Sequence, residues 1–203
     1  MMKFIVKGKY SGNESDLPTR HVPGSTQFKE VESVSQLSKL ASVISLLILA
    51  VLFLIIGYVS AKADYPFMDH PIQLIFGALL SCLVFIPHEF LHAICFKQDV
   101  EFYENLSQGM LFVVGTEDMS KARFIFMSLL PTIVFGFIPY ISYLFDPTLL
   151  FCGVFGAMNI ASGAGDFYNV YNAITQVPAH ALIYMSGLHS FWYLPETSNS
   201  HQN

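Results

Sequence analysis

Four long apolar stretches constrain the fold of this 203-residue chain more than any other feature of its sequence. They cover residues 40–59, 71–96, 124–145 and 147–165. Each is long enough for a helix of about 20 residues, which crosses a hydrocarbon layer about 30 Å thick. Only 12% of all residues are charged, against roughly a quarter in soluble domains. We therefore expect an all-α membrane protein with four transmembrane helices.

Short β elements are expected outside this helical core. Residues 181–186 and 189–194 flank the dipeptide Gly187-Leu188, which indicates a hairpin with a two-residue turn. Residues 110–114 (MLFVV) lie between two glycines and also read as a strand, whose exposed edge could align an extended peptide. The alternative is a structural hairpin that covers the helix ends. A further short strand is expected at residues 28–35.

The distribution of basic residues predicts the orientation in the membrane. Nine of the ten Lys and Arg residues fall in segments on one side of the four stretches, and only Lys62 falls on the other. Basic residues are retained on the cytoplasmic side, so both termini are expected to be cytoplasmic. Three regions follow: a cytoplasmic N-terminal segment (1–36), a four-span core (37–170), and a cytoplasmic C-terminal segment with the hairpin and a disordered tail (171–203).

Charge and cysteine usage exclude several classes of protein. The formal net charge is -5, which lacks the basic footprint of a nucleic-acid-binding protein. The three cysteines all fall inside apolar stretches, and no two have the spacing of metal ligands. Neither a disulfide framework nor a cysteine-type zinc site is therefore expected.

The second apolar stretch is the only one of the four that contains Asp, Glu, Lys, Arg or His. Residues 88–92 read HEFLH, an H-E-x-x-H pattern. On a helix the two histidines share one face and can bind a single Zn²⁺, while Glu89 can accept a proton from a metal-bound water. Ionisable groups at membrane depth are costly and usually functional. The alternative is a polar cluster that hydrogen-bonds neighbouring helices.

A hydrolytic zinc site needs a third protein ligand. Asp166 follows the fourth stretch, and Gly163 and Gly165 just before it permit close approach of another helix. His92 lies five residues before Lys97, about 7.5 Å inside the cytoplasmic edge, and the predicted topology puts Asp166 on the same side. His180 is the second candidate ligand.

These residues resemble the site-2-protease-like intramembrane zinc metalloproteases and, more closely, the small bacterial four-span putative zincin peptidase family. The resemblance rests on HEFLHA at 88–93 and GDFY at 165–168, and it covers about residues 22–193. It implies a Zn²⁺ cofactor. Glu89 would be the catalytic base, and His88, His92 and Asp166 would be the three metal ligands. In site-2 proteases an Asn precedes the metal-binding Asp, which implies contact of Asn159 with the substrate backbone.

The predicted function is that of an intramembrane zinc metalloprotease, which hydrolyses peptide bonds near the cytoplasmic boundary of a bacterial cell membrane. Its partners would be a peptide or membrane-protein substrate and the membrane lipid. A non-proteolytic zinc-binding scaffold or sensor is the main alternative, although a structural site needs no base such as Glu89. A serine protease would use Ser162, but Ile160 breaks the G-x-S-G signature. Another zinc peptidase class would need Glu196 as its third ligand.

Overall fold

The computed structural model describes residues 3–31 and 33–195. The expected disordered tail and Glu196 therefore lie outside the described residues. The described part of the chain is mostly helical. Its helices are α1 (Val34–Lys62), α2 (Pro71–Leu83), α3 (Phe85–Ala93), α4 (Lys121–Pro131), α5 (Ile138–Phe145), α6 (Leu150–Ser162) and α7 (Ala164–Gln176).

Helix α1 is the longest helix of the described residues and carries much of its apolar surface outward. It begins after Ser33, whose side chain accepts a hydrogen bond from the backbone N–H of Gln36. Only 6% of its most apolar 18-residue segment is buried inside the protein, and Leu54 is 74% exposed. An apolar face of this size is unfavourable in water and suits a lipid environment.

The strand expected at residues 28–35 is wrong. A strand of two residues, β2 (Thr26–Gln27), precedes this stretch instead. The Ser33 cap commits the following residues to α1, because a side-chain acceptor for the first free N–H groups favours a helix start.

Among the described residues, two helical segments are long and apolar enough to cross a membrane: residues 35–62 of α1, and residues 121–145, which run from α4 through α5. A third span is possible if α2 and α3 are one bent span. Helices α2 and α3 meet at an angle of 44°. Pro87 accounts for the break, since it has no N–H to bond the carbonyl of Leu83, where α2 ends. The fourth apolar stretch is divided at Gly163 into α6 and α7, so the four expected helices do not all form continuous spans.

Two small sheets pack beside the helices. The first has the order β1 (Phe4–Lys9), β3 (Val100–Asn105), β4 (Met110–Val114). Strand β1 is parallel to β3, and β3 is antiparallel to β4. The second sheet is antiparallel, in the order β2, β7 (His189–Tyr193), β6 (Leu182–Ser186), β5 (Met119–Ser120). The strand predicted at Met110–Val114 and the hairpin around Gly187 are thus confirmed. The pairing of β1 with β3 was not predicted.

Two apolar clusters place the H-E-x-x-H helix at a junction. One cluster joins α3, α4 and α7 to the sheets and includes Phe96, Phe124 and Ile183. The other packs α1, α2, α5 and α6 around Ile56 and Tyr143. Helix α3 therefore lies between the helical core and the sheet layer, with His88, Glu89 and His92 all buried.

Candidate metal centre

Three side chains from two helices converge on one point. His88 and His92 lie one turn apart on α3, and their Nε2 atoms are each 3.2 Å from a different carboxylate oxygen of Asp166 on α7. The two imidazole rings are 5.0 Å apart, with planes at 73°. The structure thus brings together the three residues that were predicted as zinc ligands.

The spacing of these atoms fits a zinc site. Two ligands of a tetrahedral zinc ion with bonds of about 2.0–2.1 Å are about 3.3 Å apart, close to the 3.2 Å separations found here. Two imidazoles and a carboxylate are also a ligand set that zinc accepts. The residues present therefore fit the metal that the motif implies.

Glu89 shares the metal-binding region with the two histidines. One carboxylate oxygen of Glu89 and ring nitrogens of His88 and His92 all lie within 4.8 Å of one another. The Glu89 side chain is buried and contributes to the wall of the same cavity as the histidines. Its position suits a group that exchanges protons beside a metal rather than one that only packs.

The site opens into a cavity of about 660 Å³. Its wall is built by α1, α3, α4, α7, strand β4, the β6–β7 hairpin and part of the N-terminal segment. The described residues that line it include four acids and no Lys or Arg, the acids being Glu14, Glu30, Glu89 and Asp166. The cavity is large enough for several residues of a peptide, and beside these acids it is lined by three histidines, His88, His92 and His189.

The second sheet and the N-terminal segment meet at the wall of this cavity. Glu30 accepts a hydrogen bond from the backbone N–H of Ser190 at 3.0 Å, and its Oε1 lies 3.1 Å from Nδ1 of His189. Burial raises the pKa of the Glu30 carboxyl, while these two hydrogen bonds oppose that rise. No local sequence pattern predicts this contact, because Glu30 and His189 are distant in the sequence.

Of the other candidate site residues, Asn159 and His180 do not line the cavity, whereas Ser162 does. Asn159 donates a hydrogen bond to the carbonyl of Phe155 at 2.7 Å and contacts Ser81 at 3.4 Å. It lines a separate, smaller pocket. His180 is exposed in the turn after α7. Ser162 donates its hydroxyl proton to the Asn159 carbonyl, which cannot serve as the base of a serine protease.

Two residues of α4 complete the surroundings of the site and were not predicted. The backbone carbonyl of Met127 lies 2.9 Å from Nδ1 of His92 and accepts its proton. Ser128 lines the cavity, and its buried hydroxyl has no hydrogen-bond partner among the described residues. A backbone acceptor leaves no trace in the sequence, and Ser128 lies in an apolar run whose register against α3 could not be known.

Comparison with known proteins agrees with this geometry. Residues 81–182 match a family model described as "Putative zincin peptidase". The matched region contains the H-E-x-x-H helix, β4, α4 and α7 with Asp166. No match was found among curated proteins or among solved structures. Because the match covers half of the chain, the protein belongs to the putative zincin peptidase family.

Proposed function

We propose that this protein is an intramembrane zinc metallopeptidase of the site-2-protease-like kind. The observation that carries the proposal is the convergence of His88, His92 and Asp166, with Glu89 beside them, on one wall of a cavity of about 660 Å³. A purely structural zinc site would need neither the cavity nor the additional carboxylate.

The proposed arrangement has four membrane crossings, formed by α1, by α2 with α3, by α4 with α5, and by α6 with α7. Lys121 Nζ donates hydrogen bonds to the carbonyls of Ile174 and Val177, so the start of α4 and the end of α7 lie at one level. Met127 is six residues, or about 9 Å, from that level along α4. Asp166 is eight residues, or about 12 Å, from Ile174 along α7.

This depth supports a site just inside the cytoplasmic boundary of the membrane. Tyr171 and Ile174 on the same part of α7 are 62% and 58% exposed, which suits contact with lipid near the interface. The basic residues Lys121 and Arg123 lie at the proposed cytoplasmic side. The proposed topology keeps both termini in the cytoplasm.

In the proposed mechanism His88 and His92 bind the metal through Nε2 and Asp166 binds it through its carboxylate. Zinc held there would make a bound water acidic enough to lose a proton near neutral pH and would polarise the scissile carbonyl. The Glu89 carboxylate accepts that proton and later donates it to the nitrogen of the leaving amine. His88, Glu89 and His92 are buried and Asp166 is partly buried, which limits contact of the proton transfer with bulk water.

In this proposal the substrate binds along strand β4. This strand forms an edge of its sheet, with β3 on its other side. Consecutive residues from Gly109 to Val113 line the cavity, rather than every second residue. A strand whose edge faces a cavity contributes consecutive residues in this way, whereas one whose face is turned to it contributes alternate residues. An extended peptide can therefore pair with β4 beside the metal.

The proposal is tested with purified protein in detergent or lipid. It should contain about one zinc ion per chain and cleave an unfolded or membrane-inserted polypeptide. Removal of zinc with a chelator should abolish cleavage, and addition of zinc should restore it. Cleavage that persists in the zinc-free protein would contradict the proposed chemistry.

A further inference from the structure

A proline in α4 lies one helical turn beyond the carbonyl that holds His92. Met127 O accepts the Nδ1 proton of His92 at 2.9 Å, and both residues are buried. Pro131, four residues after Met127, is fully buried inside the same helix. These three residues form a short path from the helix backbone to a side chain of the candidate metal centre.

Helix geometry explains why this carbonyl can accept a side chain. In an α-helix the carbonyl of residue 127 accepts the N–H of residue 131. Proline has no N–H, and its ring also displaces the carbonyl four residues earlier from the helix axis. The next N–H, that of Thr132, is donated to Leu129 instead. The Met127 carbonyl is therefore left to the imidazole of His92.

The consequence for His92 concerns the two ring nitrogens. A histidine that donates from Nδ1 to a carbonyl has its Nε2 lone pair free for a metal, and such outer partners fix the ring orientation. Here Nε2 of His92 is 3.2 Å from Asp166 Oδ1, the direction in which the proposed metal lies. The contact with Met127 thus determines both the tautomer of His92 and the orientation of its ring.

We propose that Pro131 is a positioning residue for the metal centre, acting through Met127 and His92. By supplying no N–H, it reserves the Met127 carbonyl for His92. The inference rests on the metal site of the proposed function, although the hydrogen bond itself exists without the metal. An acceptor on a side chain would be removed by substituting that residue. The Met127 carbonyl belongs to the backbone, so its availability depends on the residue one turn later, Pro131.

A simpler role for Pro131 would be to shape the helix. The six residues Thr132–Phe137 that follow it form a wider, π-helical turn before α5. Pro139 provides a matched control, because it lies in the same apolar stretch at the start of α5 and does not line the cavity. A general effect of helix prolines would be shared by both positions.

The first test measures zinc affinity by competition with a chromophoric chelator. Pro131→Ala restores an N–H that competes for Met127 O, so zinc binding should weaken about 10- to 100-fold, as for other outer partners of metal ligands. The thermal stability of the zinc-free protein should be unchanged or higher. Pro139→Ala should bind zinc as the wild type does. Equal affinity of Pro131→Ala and wild type would overturn the inference.

A backbone substitution separates the missing N–H from the proline ring. The α-hydroxy analogue of alanine at position 131 forms an ester, which has neither a ring nor an N–H. This variant should bind zinc close to the wild-type affinity, in contrast to Pro131→Ala. If both variants lose affinity equally, the ring is the important feature and the inference is wrong.

The hydrogen bond can also be observed without zinc or activity. In ¹⁵N-histidine spectra, the Nδ1 proton of His92 should exchange slowly with water in the wild type, with and without zinc. It should lose this protection in Pro131→Ala. An unprotected proton in the wild type would overturn the inference even if Pro131→Ala does not fold. Protection in a protein that binds no zinc would support the hydrogen bond from His92 to Met127 but would contradict the proposed function and, with it, a role of Pro131 in positioning a metal centre.

Discussion

Nε2 of His92 and Oδ1 of Asp166 lie 3.2 Å apart, although the two residues belong to different helices that are distant in the sequence. This contact ties α3 to α7 at the point where His88 reaches the other oxygen of the same carboxylate. A buried carboxylate between two imidazoles is stable only when its charge is paired or bound by a metal. The cost of burying Asp166 is therefore offset by the groups that could share a metal with it.

The first prediction concerns Asp166 as the third ligand. Asp166→Ala should copurify with little zinc, because loss of a direct ligand weakens binding far more than the 10- to 100-fold typical of outer partners. His180→Ala is the matched control, since His180 is exposed in a turn and should be dispensable. Metal content by atomic absorption checks both variants.

The reverse result would be decisive. Zinc retained in Asp166→Ala but lost in His180→Ala would mean that the chain after α7 holds the metal. The likeness to site-2 proteases would then be confined to the HEFLH helix.

The second prediction uses two glycines of the last apolar stretch. A Cβ atom at Gly156 would lie 2.6 Å from the Tyr140 nitrogen and 2.7 Å from the Gly136 carbonyl oxygen, whereas one at Gly165 would meet nothing within 4 Å. Gly156→Ala should therefore destabilise the protein by about 1–3 kcal/mol, because α5 must move away from α6. Gly165→Ala should be neutral or stabilising, since alanine favours a helix. Thermal unfolding in detergent distinguishes the two variants, and equal stability would contradict the packing of α5 on α6.

Much of the helical architecture could be predicted from hydropathy, because apolar helices follow directly from stretch length. The breaks could not be placed in the same way. The bend before Pro87 depends on which carbonyl loses its partner. Gly163, where the last stretch divides, lies too close to Thr132 for a Cβ atom, and this contact joins segments that are distant in the sequence. The parallel pairing of β1 with β3 is a contact between distant segments with no local signal.

The candidate site was predicted better than its surroundings. His88, Glu89 and His92 form a local motif, and Asp166 stood out as an acid beside an uncharged stretch. The Met127 carbonyl could not be predicted, because every residue has one. Asn159 was assigned to the site because it resembles an Asn of the site-2 proteases. In this structure its amide donates a hydrogen bond to the backbone of its own helix and contacts Ser81. Its role in binding substrate stays a prediction.

The third prediction concerns topology. In a background without the native Cys82, Cys95 and Cys152, single cysteines at Ser11 and Ser198 should be shielded from an impermeant thiol reagent applied outside intact cells. A cysteine at Thr148, in the exposed loop before α6, should be labelled and serves as the positive control. The expectation follows from the asymmetry of Lys and Arg. Labelling at Ser11 or Ser198 would contradict a model with both termini in the cytoplasm.

The fourth prediction tests strand addition at β4. Extended peptides should compete with substrate, and N-methylation of those backbone amides that would face β4 should weaken competition at least tenfold, because the ladder hydrogen bonds are lost. N-methylation of the intervening amides, which point away, should have much less effect. An equal effect at every position would contradict pairing with the edge of β4.

The most direct measurement compares the wild type with Glu89→Gln in the same preparation, recording zinc content and peptide hydrolysis together. Glutamine has nearly the volume of glutamate and leaves His88, His92 and Asp166 unchanged. It cannot accept the proton, so zinc should stay bound while hydrolysis falls by at least 10²-fold. Undiminished hydrolysis by Glu89→Gln with zinc bound would contradict Glu89 as the base and the proposed mechanism with it.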